Sequence, residues 1–206
     1  MMPREPFVLP NDWIRITLTE PMQLHALDVA RRFSEKTKEF GFIPDSSNFW
    51  AIGSDAENQF QNYVGELGCE ALRYYLWWTD LPYHEYDTDD RFEGDKYDFK
   101  IHDLEWDLKT AWAPKNDVTK LGRKYRMFIA KHQIDKVVDG YIHVQLAHNW
   151  QYAYIIGYIM YPKAKTFPIV LTKHMKNPAV SIPFSELTPA RELLEIAYYR
   201  GKDNGV

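Results

Sequence analysis

The chain has one cysteine in 206 residues, Cys69. That excludes an internal disulfide framework, and within one chain it excludes a zinc or iron–sulfur site built on cysteine thiolates. A reducing interior is the expected setting, and the cytoplasm the expected compartment. Long apolar runs are also missing. The longest, Tyr152–Tyr161, is about half of what an α-helix needs to cross a bilayer. The opening Met-Met-Pro-Arg-Glu-Pro lacks the apolar core of a secretion signal, so no membrane partner is expected. There is no Gly-rich phosphate loop, and no metal-ligand cluster stands out among the seven histidines. Repeats, low-complexity tracts and linkers are absent, which predicts a single domain over 1–206. The chain also lacks a strong charge of one sign: a net charge of −4 argues against bulk electrostatic binding of nucleic acid but leaves room for a local basic groove.

What is there is a globular composition, 45% apolar and 16% aromatic, enough to build a core. Residues 13–18 (Trp-Ile-Arg-Ile-Thr-Leu) alternate as a short strand. Thr19 and Glu20-Pro21 open a helix over Met22–Phe40 with Leu24, Leu27, Ala30 and Phe33 near one face, and Gly41 stops it. A second helix runs from Asp55 or Asn58 to Trp77, its apolar face made of Phe60, Tyr63, Val64, Leu67, Ala71 and Tyr75. Gly65 and Gly68 lie inside it, each costing roughly 1 kcal/mol against alanine, which suggests close packing on a sheet. Glu66 and Glu70 are four apart on the flank of that face, where a carboxylate could reach a sheet edge.

The chemistry concentrates in Asp98–Thr110. Phe99 and Ile101 alternate on one predicted strand, His102-Asp103 turns the chain, and Leu104, Trp106 and Leu108 alternate with Glu105, Asp107 and Lys109 on the next. Asp107 and Lys109 therefore share a face, and Asp98 can sit beside Asp107 across the hairpin. Two carboxylates and an ammonium suit Mg²⁺, which keeps waters and binds phosphates, and a Lys that orients water or neutralises phosphate charge. An ordinary exposed hairpin is the bland alternative. The acidic stretch 79–96 contains Asp87-x-Asp89 and Gly94, but its spacing fails a calcium loop. Beyond the hairpin the charge turns positive at Lys115, Lys120, Arg123, Lys124, Arg126, Lys131 and Lys136, interleaved with Tyr125, Phe128 and Ile129. This is what a phosphodiester would want, and equally what a polar surface looks like. Strands over 140–146 and 152–160 follow, joined by a turn at His148-Asn149-Trp150, then a helix from Thr188 or Pro189 to Tyr199.

This order, with Tyr63-Val-Gly-Glu-Leu-Gly-Cys-Glu-Ala71, Tyr97-Asp-Phe-Lys100, Trp106-Asp-Leu-Lys-Thr110 and Gln133–Val144, resembles the PD-(D/E)XK nuclease superfamily over about Asn62–Ile159. The resemblance implies an α/β fold: a mixed central sheet flanked by helices, restriction-endonuclease-like, with its core over about 55–160 and N-terminal helical and C-terminal extensions. It implies that Asp98, Asp107 and a helix glutamate hold Mg²⁺ or Mn²⁺ and that Lys109 assists the water nucleophile. Gly65-Glu66 looks most like the family's Gly-Glu pair, which favours Glu66 over Glu70. Gln133 would be a groove residue near the scissile phosphate. Lys115, Lys120, Arg123, Lys124, Arg126 and Lys131 would contact the nucleic-acid backbone. The expected activity is metal-dependent hydrolysis of DNA, with endonuclease action favoured; a nuclease that cuts both strands would be served by a homodimer. The alternative is a nuclease-fold module without catalysis that binds nucleic acid or a protein.

Overall fold

The computed structural model describes residues 7–8, 13–39, 55–85, 97–112, 125–135, 138–172, 175, 177–193 and 195–196, with backbone alone for 7–8, 36–39 and 55–58. Its centre is the pair β7 (Gly140–Leu146) and β8 (Tyr152–Met160). β8 is a near-continuous apolar run and β7 is buried along its whole length, as strands are where both faces are covered. They pair antiparallel, with one bulge between His143 and Val144. β5 (Leu104–Trp112) lies parallel on the outer side of β7, so the sheet is mixed. β4 (Phe99–Ile101) and β3 (Tyr83–Glu85) continue it beyond β5. β2 (Ile14–Thr17) and β1 (Phe7–Val8) extend it beyond β8. The hairpin and both central strands thus lie where the alternation placed them.

The two long helices cover one face. α1 (Glu20–Glu39) packs on α2 (Asp55–Trp78), and α2 lies across the sheet. Val64, Leu67, Ala71, Leu72, Tyr75 and Leu76 of α2 join Trp106, Ile142, Val144 and Ile155 in the main core. The expected apolar stripe of α1 is corrected. Ala26 and Ala30 are fully buried while Leu24 is exposed, because small residues let the two helices approach closely and turn Leu24 outward. Gly41, after α1, lies outside the described residues.

Among the described residues, the opposite face carries a second, three-stranded antiparallel sheet where helices were expected. Its strands are β6 (Arg126–Ala130), β9 (Ile169–Val170) and β10 (Ala179–Pro183), in the order β6-β10-β9. Met127, Ile129, Val180 and Ile182 meet Tyr141, Tyr154, Ile156 and Ile159 there in a separate core. One helical turn, α3 (Tyr161–Ala164), adds Ala164 to it. Ahead of β7, residues 131–135 form turns. The C-terminal helix begins later than expected: Leu193, Glu195 and Ile196 are helical, whereas Thr188–Glu192 are not in α-helix. β11 (Thr188–Pro189) pairs with β8 beside Gly157, and a 3₁₀ turn over Ala190–Glu192 follows. A Cβ on Gly157 would collide with the Thr188 carbonyl. Ala190 and Leu193 enter the main core with Ile14, Ile16 and Leu18, so the core reaches beyond 55–160 at both ends.

Candidate active site

The hairpin opens at Asp98. β4 pairs with Leu104–Trp106 and no further. His102 takes the left-handed φ of 56° that a tight hairpin turn needs. At the other end the Asp98 N–H donates to the Trp106 carbonyl (2.9 Å), and the Leu108 N–H donates to Asp98 Oδ2 (2.6 Å). The carboxylate thus stands in for a strand partner where the ladder stops. Continuing the register Phe99↔Trp106 sets Asp98 opposite Asp107, at about 5 Å between Cα atoms.

Alternation then divides the site between the faces of β5. Leu108 and Thr110 face α2, and together with Asn62, Gly65, Glu66 and Asp98 they line a cleft of about 190 Å³. Glu66 is 6% exposed. Gly68 is pressed against Thr110, so the expectation of close packing holds there, whereas a Cβ at Gly65 would meet nothing within 4 Å. Gly65 instead keeps the cleft open.

Asp107 and Lys109 point to the other face. They form an ion pair, with Asp107 4% exposed. Their register neighbours on β7 are Tyr141 and His143. Burial, and then the Asp107 charge, raises the Tyr141 hydroxyl above its usual range. Burial lowers His143 to about 4, outweighing hydrogen bonding to Gln145 and to the Lys109 backbone. A neutral imidazole therefore stands beside Lys109.

The glutamate ambiguity has a geometric answer. Arg73 donates from Nε to both Glu85 oxygens (2.8 Å each) and from Nη1 to Glu70, while Glu66 Oε2 lies 3.7 Å from Nη2. His25 Nδ1 is 2.8 Å from Glu70 Oε1. Glu70 is thus turned toward Arg73 and His25 and lines a different groove with Trp77 and Tyr83. Glu66 alone of the two lines the cleft with Asp98. Sequence reasoning missed Arg73, although its spacing of three from Glu70 and seven from Glu66 places all three on one side of a helix.

The remaining candidates are dispersed. Gln133 sits in the turn after β6, where its carbonyl accepts the Tyr141 hydroxyl (3.2 Å). Arg126 donates to Ser181 Oγ and to the Ser181 carbonyl across β6–β10. Lys131 is exposed in the same turn as Gln133. Lys115, Lys120, Arg123 and Lys124 lie outside the described residues.

The donor chemistry of Glu66, Asp98 and Asp107 is that of hard carboxylate oxygens, suited to Mg²⁺ or Mn²⁺. Glu66 and Asp98 share a cleft, and Asp107 reaches the same stretch of β5 from behind. Among the described residues no three His, Cys, Asp or Glu side chains converge in one metal-holding group. No helix among them is long and apolar enough to cross a membrane. No protein-family model matches the chain, and no curated protein matches it in sequence.

Proposed function

We propose that the chain is a divalent-metal-dependent nuclease hydrolysing phosphodiester bonds in DNA, on a restriction-endonuclease-like framework. One observation carries the reading: Asp98 caps the open end of the hairpin inside the cleft that Glu66 lines, bonded to the neighbouring strand that carries the Asp107–Lys109 pair. Asp98 and Glu66 would hold Mg²⁺ or Mn²⁺ in the cleft, with Asp107 behind them on the opposite face of β5. When bound, such an ion supplies positive charge to the scissile phosphate and lowers the pKa of a bound water. Lys109 has the remaining work. Its ammonium, held ready by Asp107, donates a hydrogen bond to the attacking water or to a phosphate oxygen once the pair opens. The walls contributed by Leu108, Thr110 and α2 narrow the access of bulk water.

The test is a time course on supercoiled duplex and circular single-stranded DNA with Mg²⁺, Mn²⁺ or EDTA. Cutting in metal only, reduced at least 100-fold in Asp107→Ala and Lys109→Ala, is the expected result. Intact DNA in every condition would sink the reading. Circles that open make it an endonuclease.

A second reading is a nuclease-fold module that binds DNA or a protein without cutting. The closed Asp107–Lys109 pair and the Arg73 guanidinium near Glu66 favour it, since both neutralise groups that catalysis would use. Unchanged DNA affinity in Asp107→Ala, with no cutting by either form, would select it.

A further inference from the structure

The lining of the cleft reaches Thr110 on β5. Following β5 two residues on leads to Trp112, and following α2 back from Glu66 leads to Phe60. Phe60 meets Trp112 edge-on at 5.4 Å and Trp150 at 5.8 Å, and the two indoles stack at 4.6 Å and 20°. Tyr63 lies 5.9 Å from Trp150. Three separate elements, the start of α2, the end of β5 and the β7–β8 turn, deliver these rings to one spot. None of the four is fully buried, and Phe60 is 39% exposed.

One further observation sets this cluster apart from ordinary core. Trp150 sits at φ 60°, a left-handed conformation that a bulky side chain avoids and that persists only where surrounding contacts impose it. Its N–H donates to the Ala147 carbonyl (3.2 Å), and the Gln23 amide donates to its carbonyl (3.2 Å).

We propose that Phe60, Trp112 and Trp150 form a stacking subsite for an unpaired nucleobase. The substrate then enters the cleft as a single strand or a frayed end, not as intact duplex. Phe60 and Glu66 are six residues apart on one helix, about 9 Å of rise. That is about three stacked nucleotides at 3.4 Å each, so the held base lies within two or three nucleotides of the cut. Aromatic faces accept any base, which makes the subsite tolerant of sequence. The inference rests on the nuclease reading for its substrate, but its test does not depend on cutting.

The experiment measures fluorescence anisotropy of labelled dT12 and of a blunt hairpin duplex with the full chain, in EDTA and again in Ca²⁺. Wild type, Phe60→Leu and Phe60→Tyr are compared, each checked for an unchanged melting transition, with Trp112→Phe as a second stacking-retaining control. Tighter binding of dT12 than of the duplex is expected in wild type, weakened at least five-fold in Phe60→Leu and restored in Phe60→Tyr and Trp112→Phe. No binding of dT12 by wild type in either buffer, or equal affinity in Phe60→Leu, overturns the subsite. If DNA is cut while Phe60→Leu binds normally, the subsite fails and the nuclease stands. If dT12 binds through Phe60 while nothing is cut in Mg²⁺ or Mn²⁺, the nuclease fails and the subsite stands.

Discussion

Arg73 sits at the junction of the cleft and the neighbouring groove, with one guanidinium between Glu66, Glu70 and Glu85. Burial works against its charge, but the Glu85 hydrogen bond and the surrounding carboxylates hold it protonated far above the ordinary arginine range. Removing it strands three partly buried carboxylates together. Arg73→Met should lower unfolding stability by about 3 kcal/mol, read from urea titrations at pH 7. For activity the same cluster separates two glutamates that sequence alone left open. Glu66→Gln should cost at least 100-fold in cutting rate, whereas Glu70→Gln should stay within several-fold, since Glu70 faces away from the cleft. The two glycines of α2 also part company. Gly68→Ala forces a methyl into the Thr110 side chain and should destabilise by about 1–3 kcal/mol. Gly65→Ala meets open space and should stabilise by roughly 0.5–1 kcal/mol through helix propensity. Denaturant midpoints decide both. His143 offers a pH test. Its folded pKa of about 4 lies below the usual 6.5, so the unfolded chain binds the extra proton between those values. The stability that His143 protects is complete above about pH 6.5 and falls as pH drops toward 4, by about 2 kcal/mol at pH 5. His143→Leu should flatten that decline, and equal pH 5 losses in both proteins would refute it.

At the scale of elements, β5 does two jobs with one alternating sequence. Leu104 and Trp106 bury themselves against α2, which is ordinary strand amphipathicity. Asp107 and Lys109 take the opposite face, and the hydrophobic β6–β10 layer beneath it closes over them. The period-two pattern made the shared face of Asp107 and Lys109 legible from the residues. It could not place Glu66 on the opposite face, because a helix meets a strand only in three dimensions. The C-terminal segment is a harder case. The helix expected from Thr188 or Pro189 starts only at Leu193, because Thr188 and Pro189 extend along β8 first. There the local propensity of a short segment yields to the pairing that an open strand position offers. Deleting the chain from Thr188 onward should therefore remove Ala190 and Leu193 from the main core and lower the melting temperature by several degrees or more, measured by circular dichroism. An unchanged transition would mean that the segment only decorates the sheet.

At the scale of the whole molecule, two hydrophobic cores share one sheet. β7 and β8 contribute Ile142, Val144 and Ile155 to one side, and Tyr141, Tyr154 and Ile159 to the other. Neither core can come apart without stripping a face from the central strands, so unfolding should be a single event. Tryptophan fluorescence and far-ultraviolet circular dichroism should give coincident denaturant transitions; two separated transitions would show that the β6–β10–β9 layer opens independently. The sequence by itself determined the strands at 99–101, 140–146 and 152–160, the second helix, and the common face of Asp107 and Lys109. All of these follow from spacing along a few neighbouring residues, which is where period-two and period-3.6 patterns carry information. Only the tertiary structure decided that a second sheet covers the far face, that Arg73 takes Glu70 away from the cleft, and that Phe60, Trp112 and Trp150 meet. Those outcomes depend on contacts between elements, such as Phe60 with Trp150 and Glu70 with His25, and such pairing is chosen by packing volume and charge balance, which no local pattern records.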